Sequence, residues 1–275
     1  MRLAARATRT AVRAVIASIA VLGIAVGARA AERAVDIPTR AGVSVRTLLL
    51  EPSSPNGAAV ILLAGGTGRL ELTPDGGIGQ NRNNQLVRTR QDYADEGFVT
   101  LVPDVAADQK DGNAGVVGAY RWSAEHAQDI GAMVAWLRTR AAKVHLVGTS
   151  RAAMSVANAA VRLDGAQRPD SLVITSGMLM QVNGRAPSVE KSVGNLDRIT
   201  QPVLLIYHKD DACNVSPPDK VAPFKALLTK AASVDVVMLS GGSTKGDPCE
   251  AASYHGYLGI DRDVVKTVSP WLKGH

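Results

Sequence analysis

Ser150 stands in the run Gly148-Thr149-Ser150-Arg151-Ala152, where the apolar segment 143–148 gives way to a helical pattern over 150–163. A serine at such a corner is either the first turn of an ordinary helix or a nucleophile held out for attack. The second reading needs small residues two before and two after, so that neighbours do not collide with a strained turn. Gly148 and Ala152 meet that need, with alanine where the usual pattern has a second glycine. A serine hydroxyl is a poor nucleophile unless a base takes its proton. Of the five histidines, His126 falls mid-helix, His145 inside the strand before the corner, and His275 at the terminus. His255 follows the last strand pattern, at the mouth of a loop, where a base would stand. The imidazole in turn needs a carboxylate to fix its tautomer. The strand pattern 202–208 ends in Asp210 and Asp211, whereas the strand before it ends in Thr-Ser-Gly-Met without an acid. Either aspartate can supply the carboxylate. The chemistry implied is nucleophilic attack on an acyl carbonyl.

Such residues must be set at strand ends. Continuous apolar runs over 58–66, 98–104, 143–148, 171–177, 202–208 and 234–240 predict strands buried on both faces. Between them, 84–97, 123–140, 150–163, 223–231 and 255–272 carry helical spacing, with Ser123 as an N-cap. The alternation of 34–52 around Ala41-Gly42 predicts an antiparallel hairpin at a sheet edge. Strand and helix thus alternate from about residue 58 onward, which predicts an α/β fold, a mostly parallel sheet with helices on both faces. In such sheets functional residues gather at the carboxyl ends of the strands.

The chain resembles the α/β-hydrolase superfamily over roughly residues 34–273. It is most similar to the compact, lidless dienelactone-hydrolase-like and small serine esterases. In that group the strand before the acid often runs Leu-Leu-Ile-His-Gly-x-x-Asp. Here Leu-Leu-Ile-Tyr-His-Lys-Asp-Asp places Tyr207 at the histidine and His208 at the glycine, and the count from Tyr207 selects Asp211, with Asp210 as the alternative. Dienelactone hydrolases proper use a cysteine nucleophile; this chain has serine. The resemblance implies a Ser150–His255–Asp211 triad in the chain order serine, acid, histidine. It also implies an oxyanion hole made by the N–H of Arg151 and an N–H at Gly66 or Thr67, in the glycine-rich segment 64–70.

The chain has 275 residues, with 31 basic against 25 acidic side chains. Residues 1–30 read as a secretory signal peptide: arginines without acids, an apolar run over 14–27, then Ala28-Arg29-Ala30 as a cleavage site. That run is shorter than the roughly 20 residues a membrane span needs. Removing its five arginines from 31 leaves 26 basic against 25 acidic residues, close to neutral. The basic balance therefore gives no case for nucleic acid, which needs a clustered basic face. A periplasmic or secreted protein of residues 31–275, forming one domain, is the expectation. In that oxidising setting Cys213 and Cys249 are expected to pair. The bridge would tie the loop of Asp211 to the loop of His255. With no metal-spaced His/Cys cluster, neither a metal nor an organic cofactor is expected.

Two rival readings remain. Leu-Leu-Ala-Gly-Gly-Thr-Gly suggests a dinucleotide cradle, but the breakers over 73–81 stand where a helix would have to begin. A non-catalytic binding protein on a hydrolase scaffold is the alternative function. The partner expected is a small ester or related acyl compound. Its identity, hydrolysis against acyl transfer, and the oligomeric state stay open.

Overall fold

The computed structural model describes residues 30–110, 118–182, 184 and 186–275. The expected signal peptide, apart from Ala30, lies outside the described residues. The strands are β1 (Ala31–Arg40), β2 (Val43–Glu51), β3 (Ala58–Leu63), β4 (Val99–Ala106), β5 (Lys143–Thr149), β6 (Ser171–Thr175), β7 (Val203–His208) and β8 (Val234–Leu239). The helices are α1 (Gln85–Arg88), α2 (Arg90–Asp95), α3 (Ala124–Leu137), α4 (Ala153–Arg162), α5 (Val221–Leu227) and α6 (Asp261–Gly274). The eight strands form one sheet in the order β1-β2-β4-β3-β5-β6-β7-β8. β1, β2 and β4 run antiparallel to their neighbours in turn, and from β4 to β8 every pairing is parallel.

The apolar runs become the central strands because both of their faces are covered. In β3, Ala59, Ile61 and Leu63 face α3, α4 and α5, while Ala58, Val60 and Leu62 face α1, α2 and α6. This is the two-residue period of a strand, here apolar at every step. The helices meet the sheet through Ile130, Val134 and Leu137 of α3 and through Val264, Val268 and Leu272 of α6, each set spaced by three or four residues. Ser123 caps α3 as expected, its hydroxyl accepting from the His126 N–H at 3.1 Å. The hairpin turns at Ala41-Gly42, where Gly42 has φ +72°.

Several elements depart from the expected boundaries. The helix expected over 84–97 is broken at Thr89, whose hydroxyl donates back to the Gln85 carbonyl at 2.8 Å. Such back-bonding competes with the helical ladder. β3 stops at Leu63, so residues 64–66 belong to the loop that follows. The closing helix starts at Asp261 instead of 255. Tyr257 at φ +58° and Gly259 at φ +86° are left-handed, which a right-handed helix cannot include. His255 therefore sits in a run of tight turns. Among the described residues, no helix is long and apolar enough to cross a membrane.

Candidate active site

The parallel register brings Leu63 of β3 beside Gly148 of β5, and Thr149 beside Thr175 of β6. The carboxyl ends of these strands thus share one rim. At that rim Ser150 has φ +55° and opens a short 3-10 turn over Ser150–Ala152 that leads into α4. Left-handed backbone at a non-glycine residue costs of order 1–3 kcal/mol and persists only where the surroundings over-determine it. They do so here. A side chain at Gly148 would lie 2.5 Å from Val156 Cγ2 and 2.9 Å from the Ala152 carbonyl oxygen. A side chain at Gly65 would lie 3.0 Å from Ser150 Cβ, so the loop after β3 rests directly against the corner. Ala152 is fully buried, leaving no space for a larger residue at the position two after Ser150.

His255 is buried in the turns after β8. Its Nδ1 lies 2.9 Å from Asp211 Oδ2 and 3.0 Å from Ser216 Oγ. Asp211 is itself buried, and its Oδ1 accepts the Cys213 N–H at 2.9 Å. Asp210 is exposed; its N–H donates to His208 Nδ1, and its carboxylate does not reach His255. With Nδ1–H donated to Asp211, the lone pair of the imidazole resides on Nε2. That atom is buried and has no hydrogen-bond partner among the described residues. His255 and Ser150 line one cleft of about 420 Å³, together with Gly66, Arg151, Met178 and Cys249. No hydrogen bond joins Ser150 to His255, although both line this cleft.

The histidine turns are held by long-range ties. The Tyr257 hydroxyl donates to the Ile206 carbonyl at 2.8 Å and accepts from Ser176 at 2.9 Å. Burial pushes the Tyr257 phenol well above its ordinary pKa, so it stays a donor. Arg88 pairs with Asp261 at 2.8 Å and donates to the Ala251 carbonyl at 3.2 Å. A disulfide joins Cys213 to Cys249, linking the segment just after Asp211 to the segment just before His255. Ser216 escaped the sequence reading: it lies in the unremarkable Cys-Asn-Val-Ser run, and only the fold brings it to the imidazole. Tyr207 is fully buried with its hydroxyl on the Gly177 carbonyl, so it is a core residue and no part of the cleft. His208 bonds the Gly241 carbonyl at 2.9 Å and stacks on Tyr254 at 4.4 Å.

The segment after β3 turns sharply. Gly66 has φ +56° and Gly68 φ +69°, and the Gly68 N–H closes on the Gly65 carbonyl at 3.0 Å. Gly66 reaches the cleft, while the Thr67 hydroxyl accepts from Asn81 at 3.0 Å and from the Arg69 N–H at 3.3 Å. Among the described residues, no group of three or more His, Cys, Asp or Glu side chains is placed to hold a metal.

No family model matches the chain, and no curated protein matches it. Solved structures do. An esterase from Pyrococcus furiosus shares 15% identity and superposes with a TM-score of 0.61, over 89% of this chain and 91% of that one. A putative dienelactone hydrolase from Klebsiella pneumoniae also shares 15% identity at TM-score 0.61, over 89% of this chain and 100% of that one. An alpha-beta serine hydrolase homologue from Coxiella burnetii shares 15% identity at TM-score 0.55, over 86% and 96%. The chain has the α/β-hydrolase fold.

Proposed function

We propose that the protein is an exported serine hydrolase that cleaves an ester or related acyl bond through an acyl-enzyme, with Ser150 as nucleophile, His255 as base and Asp211 as its orienting acid. The observation that carries this reading is the buried imidazole: Nδ1 is committed to Asp211 at 2.9 Å, and the basic Nε2 is unpartnered in a histidine that shares its cleft with the strained Ser150. His145 Nε2 is also buried and unpaired, but His145 lies within β5, whereas His255 lines the cleft that holds Ser150. The esterase and hydrolase names of the structural neighbours are in keeping with it.

In the first half-reaction Ser150 Oγ bonds to the acyl carbon and its proton passes to His255 Nε2. Asp211 stabilises the resulting imidazolium. The carbonyl oxygen, now anionic, is held by the N–H of Arg151 and by an N–H at Gly66 or Thr67. As the carbon–leaving-group bond breaks, Nε2–H protonates the departing oxygen. Water then attacks the acyl-enzyme, gives its proton to Nε2, and frees the acid and Ser150. A cleft of about 420 Å³ suits a small acyl substrate. The disulfide is in keeping with export after cleavage of residues 1–30.

Treatment of the purified protein with a fluorophosphonate, followed by mass mapping, tests the reading. A label on Ser150 that is lost in Ser150→Ala and slowed at least about a hundredfold in His255→Ala is the expected result. A folded protein that takes no label removes the mechanism and leaves the binding-scaffold reading.

A further inference from the structure

Behind the loop that follows β3 lies a charge that the triad does not use. Arg121, in the 3-10 turn Ala119–Trp122 ahead of α3, is only 2% exposed. A buried guanidinium usually faces a carboxylate, because an unpaired charge is costly to take from water. Among the described residues Arg121 has no such partner. Its terminal nitrogens donate to three neutral oxygens, Nη1 to Ser155 Oγ at 2.9 Å and Nη2 to the carbonyls of Ala64 at 3.0 Å and Gly66 at 3.1 Å, while Nε is buried with no partner among the described residues. Burial, then the nearby Arg151 charge, pulls the Arg121 pKa down to about 9, which keeps the group cationic at neutral pH.

Both carbonyls belong to the segment that the oxyanion hole requires. A trans peptide is planar, with its N–H pointing opposite to its C=O. Fixing the Gly66 carbonyl on Arg121 therefore aims the Thr67 N–H away from the guanidinium. The cleft shared by Ser150 and His255 is lined by Gly66 and not by Arg121, which borders a separate, water-sized cavity with Asp104, His126 and Ser155. Among the described residues no protein acceptor takes the Thr67 N–H. Further on, the same loop is pinned by Asp104, whose two carboxylate oxygens accept the N–H groups of Leu70 at 2.8 Å and Leu72 at 3.0 Å.

Ser155 completes the clamp. It sits on α4, the helix that Ser150 leads into, so one guanidinium ties the loop to the nucleophile's own helix. Ser155 accepts from Arg121, and its hydroxyl hydrogen is left for His126 Nε2, 2.9 Å away. Burial, then the charges of Arg121 and Arg40, pulls the His126 pKa down to about 3, so the ring is a neutral acceptor. The donor direction runs Arg121 to Ser155 to His126.

We infer that Arg121 is a positioning residue of the oxyanion hole: it orients the Gly66–Thr67 peptide so that the Thr67 N–H serves as the second oxyanion donor. The inference rests on the hydrolase reading above. With no ion pair to a carboxylate among the described residues, the Arg121 charge also adds to the field that favours negative charge on the far side of that peptide.

The test is steady-state hydrolysis of p-nitrophenyl acetate, with kcat expressed per site titrated by fluorophosphonate, for Arg121→Met, Arg121→Lys and Ser155→Ala. Loss of one oriented oxyanion donor lowers kcat by about 10²–10³. Arg121→Met should fall in that range with KM within about threefold, the mark of a contact made only in the transition state. Arg121→Lys should regain at least about tenfold of the loss, and affinity for a phenylboronic acid should fall in step with kcat across the series. Ser155→Ala, which frees one arm of the clamp, should lose about tenfold. A merely structural arginine would lower thermal stability and the titrated fraction and leave kcat per titrated site at the wild-type value; that result overturns the inference. If Arg121→Met does not fold, unchanged kcat in Ser155→Ala overturns it instead. A wild-type protein that neither labels nor turns over removes the hydrolase reading and this inference with it. A labelled wild type with undiminished variants removes the clamp alone.

Discussion

Replacing both cysteines by serine separates what the disulfide does for the fold from what it does for the site. The bridge joins residues 36 apart in sequence. In the chain-entropy account, a loop of that length corresponds to about 4 kcal/mol at 25 °C through restriction of the unfolded chain. For a protein of this size each kcal/mol moves Tm by about 2–4 °C, so Cys213→Ser/Cys249→Ser should melt about 8–16 °C below the oxidised wild type. Wild type in excess reductant should match the variant. The site should respond separately, because the 2.9 Å contact from Asp211 to His255 spans the two loops the bridge ties. The ties that remain, Ser216 at 3.0 Å and Tyr257 on the Ile206 carbonyl, hold the imidazole in part, so kcat per titrated site at 25 °C should fall about tenfold and not vanish. Scanning fluorimetry and titrated ester turnover give the two readouts. A Tm drop below about 3 °C would refute the loop-closure reasoning. A full Tm drop with unchanged kcat would mean that the bridge acts on the unfolded chain and not on the register of acid and base.

Ser216→Ala removes one of the two oxygens facing His255 Nδ1 and should lower kcat about tenfold with little change in Tm, a split read from the same two assays. Gly148→Ala drives a methyl to 2.5 Å from Val156 Cγ2, so chemical denaturation should show a loss of about 1–3 kcal/mol, partly restored by adding Val156→Ala. His145 is fully buried, and burial pulls its pKa down to about 4. The unfolded chain binds that proton near pH 6.5 and the folded one only near pH 4, so stability is lost as pH falls between them, by about 1.4 kcal/mol per unit. His145→Phe should therefore show a shallower acid limb of Tm against pH over that window, and an unchanged limb would contradict the assignment.

The layout of the sheet was legible because burial on both faces writes itself into contiguous apolar runs, as in 58–63 and 203–208. The Cys213–Cys249 pairing was legible from the count of two cysteines together with the expectation of export. Helix ends were less so. The break at Thr89 depends on one hydroxyl choosing the Gln85 carbonyl, and the late start of α6 on the left-handed backbone of Tyr257, neither of which alters hydrophobic spacing. Within the site, Ser150 announces itself by its small neighbours. Asp211 could be told from Asp210 only through the register of a resembling family; the structure separates them by burial, bringing Asp211 alone to His255. Ser216 and Arg121 carry no local signal at all. The partner of Ser216 lies 39 residues away and those of Arg121 lie 34, 55 and 57 residues away, and hydrogen bonds across such separations exist only once the sheet has formed.

The β1–β2 hairpin contributes no residue to the cleft. It packs on the outer side of β4, with β4 and β3 between it and the strand that carries Ser150. Its turn, Ala41-Gly42, is exposed, and Gly42 already holds the left-handed geometry that lets the chain leave and return. Lengthening such a tip adds only the slowly growing cost of closing a longer loop. Val45 pairs with Ala106 at the end of β4, so this turn is a permissive port at the carboxyl end of the sheet, three strands to the side of the one that leads to Ser150. A short tag or a fluorophore inserted between Ala41 and Gly42 would report on the protein from a position set apart from Ser150 by the width of β4 and β3.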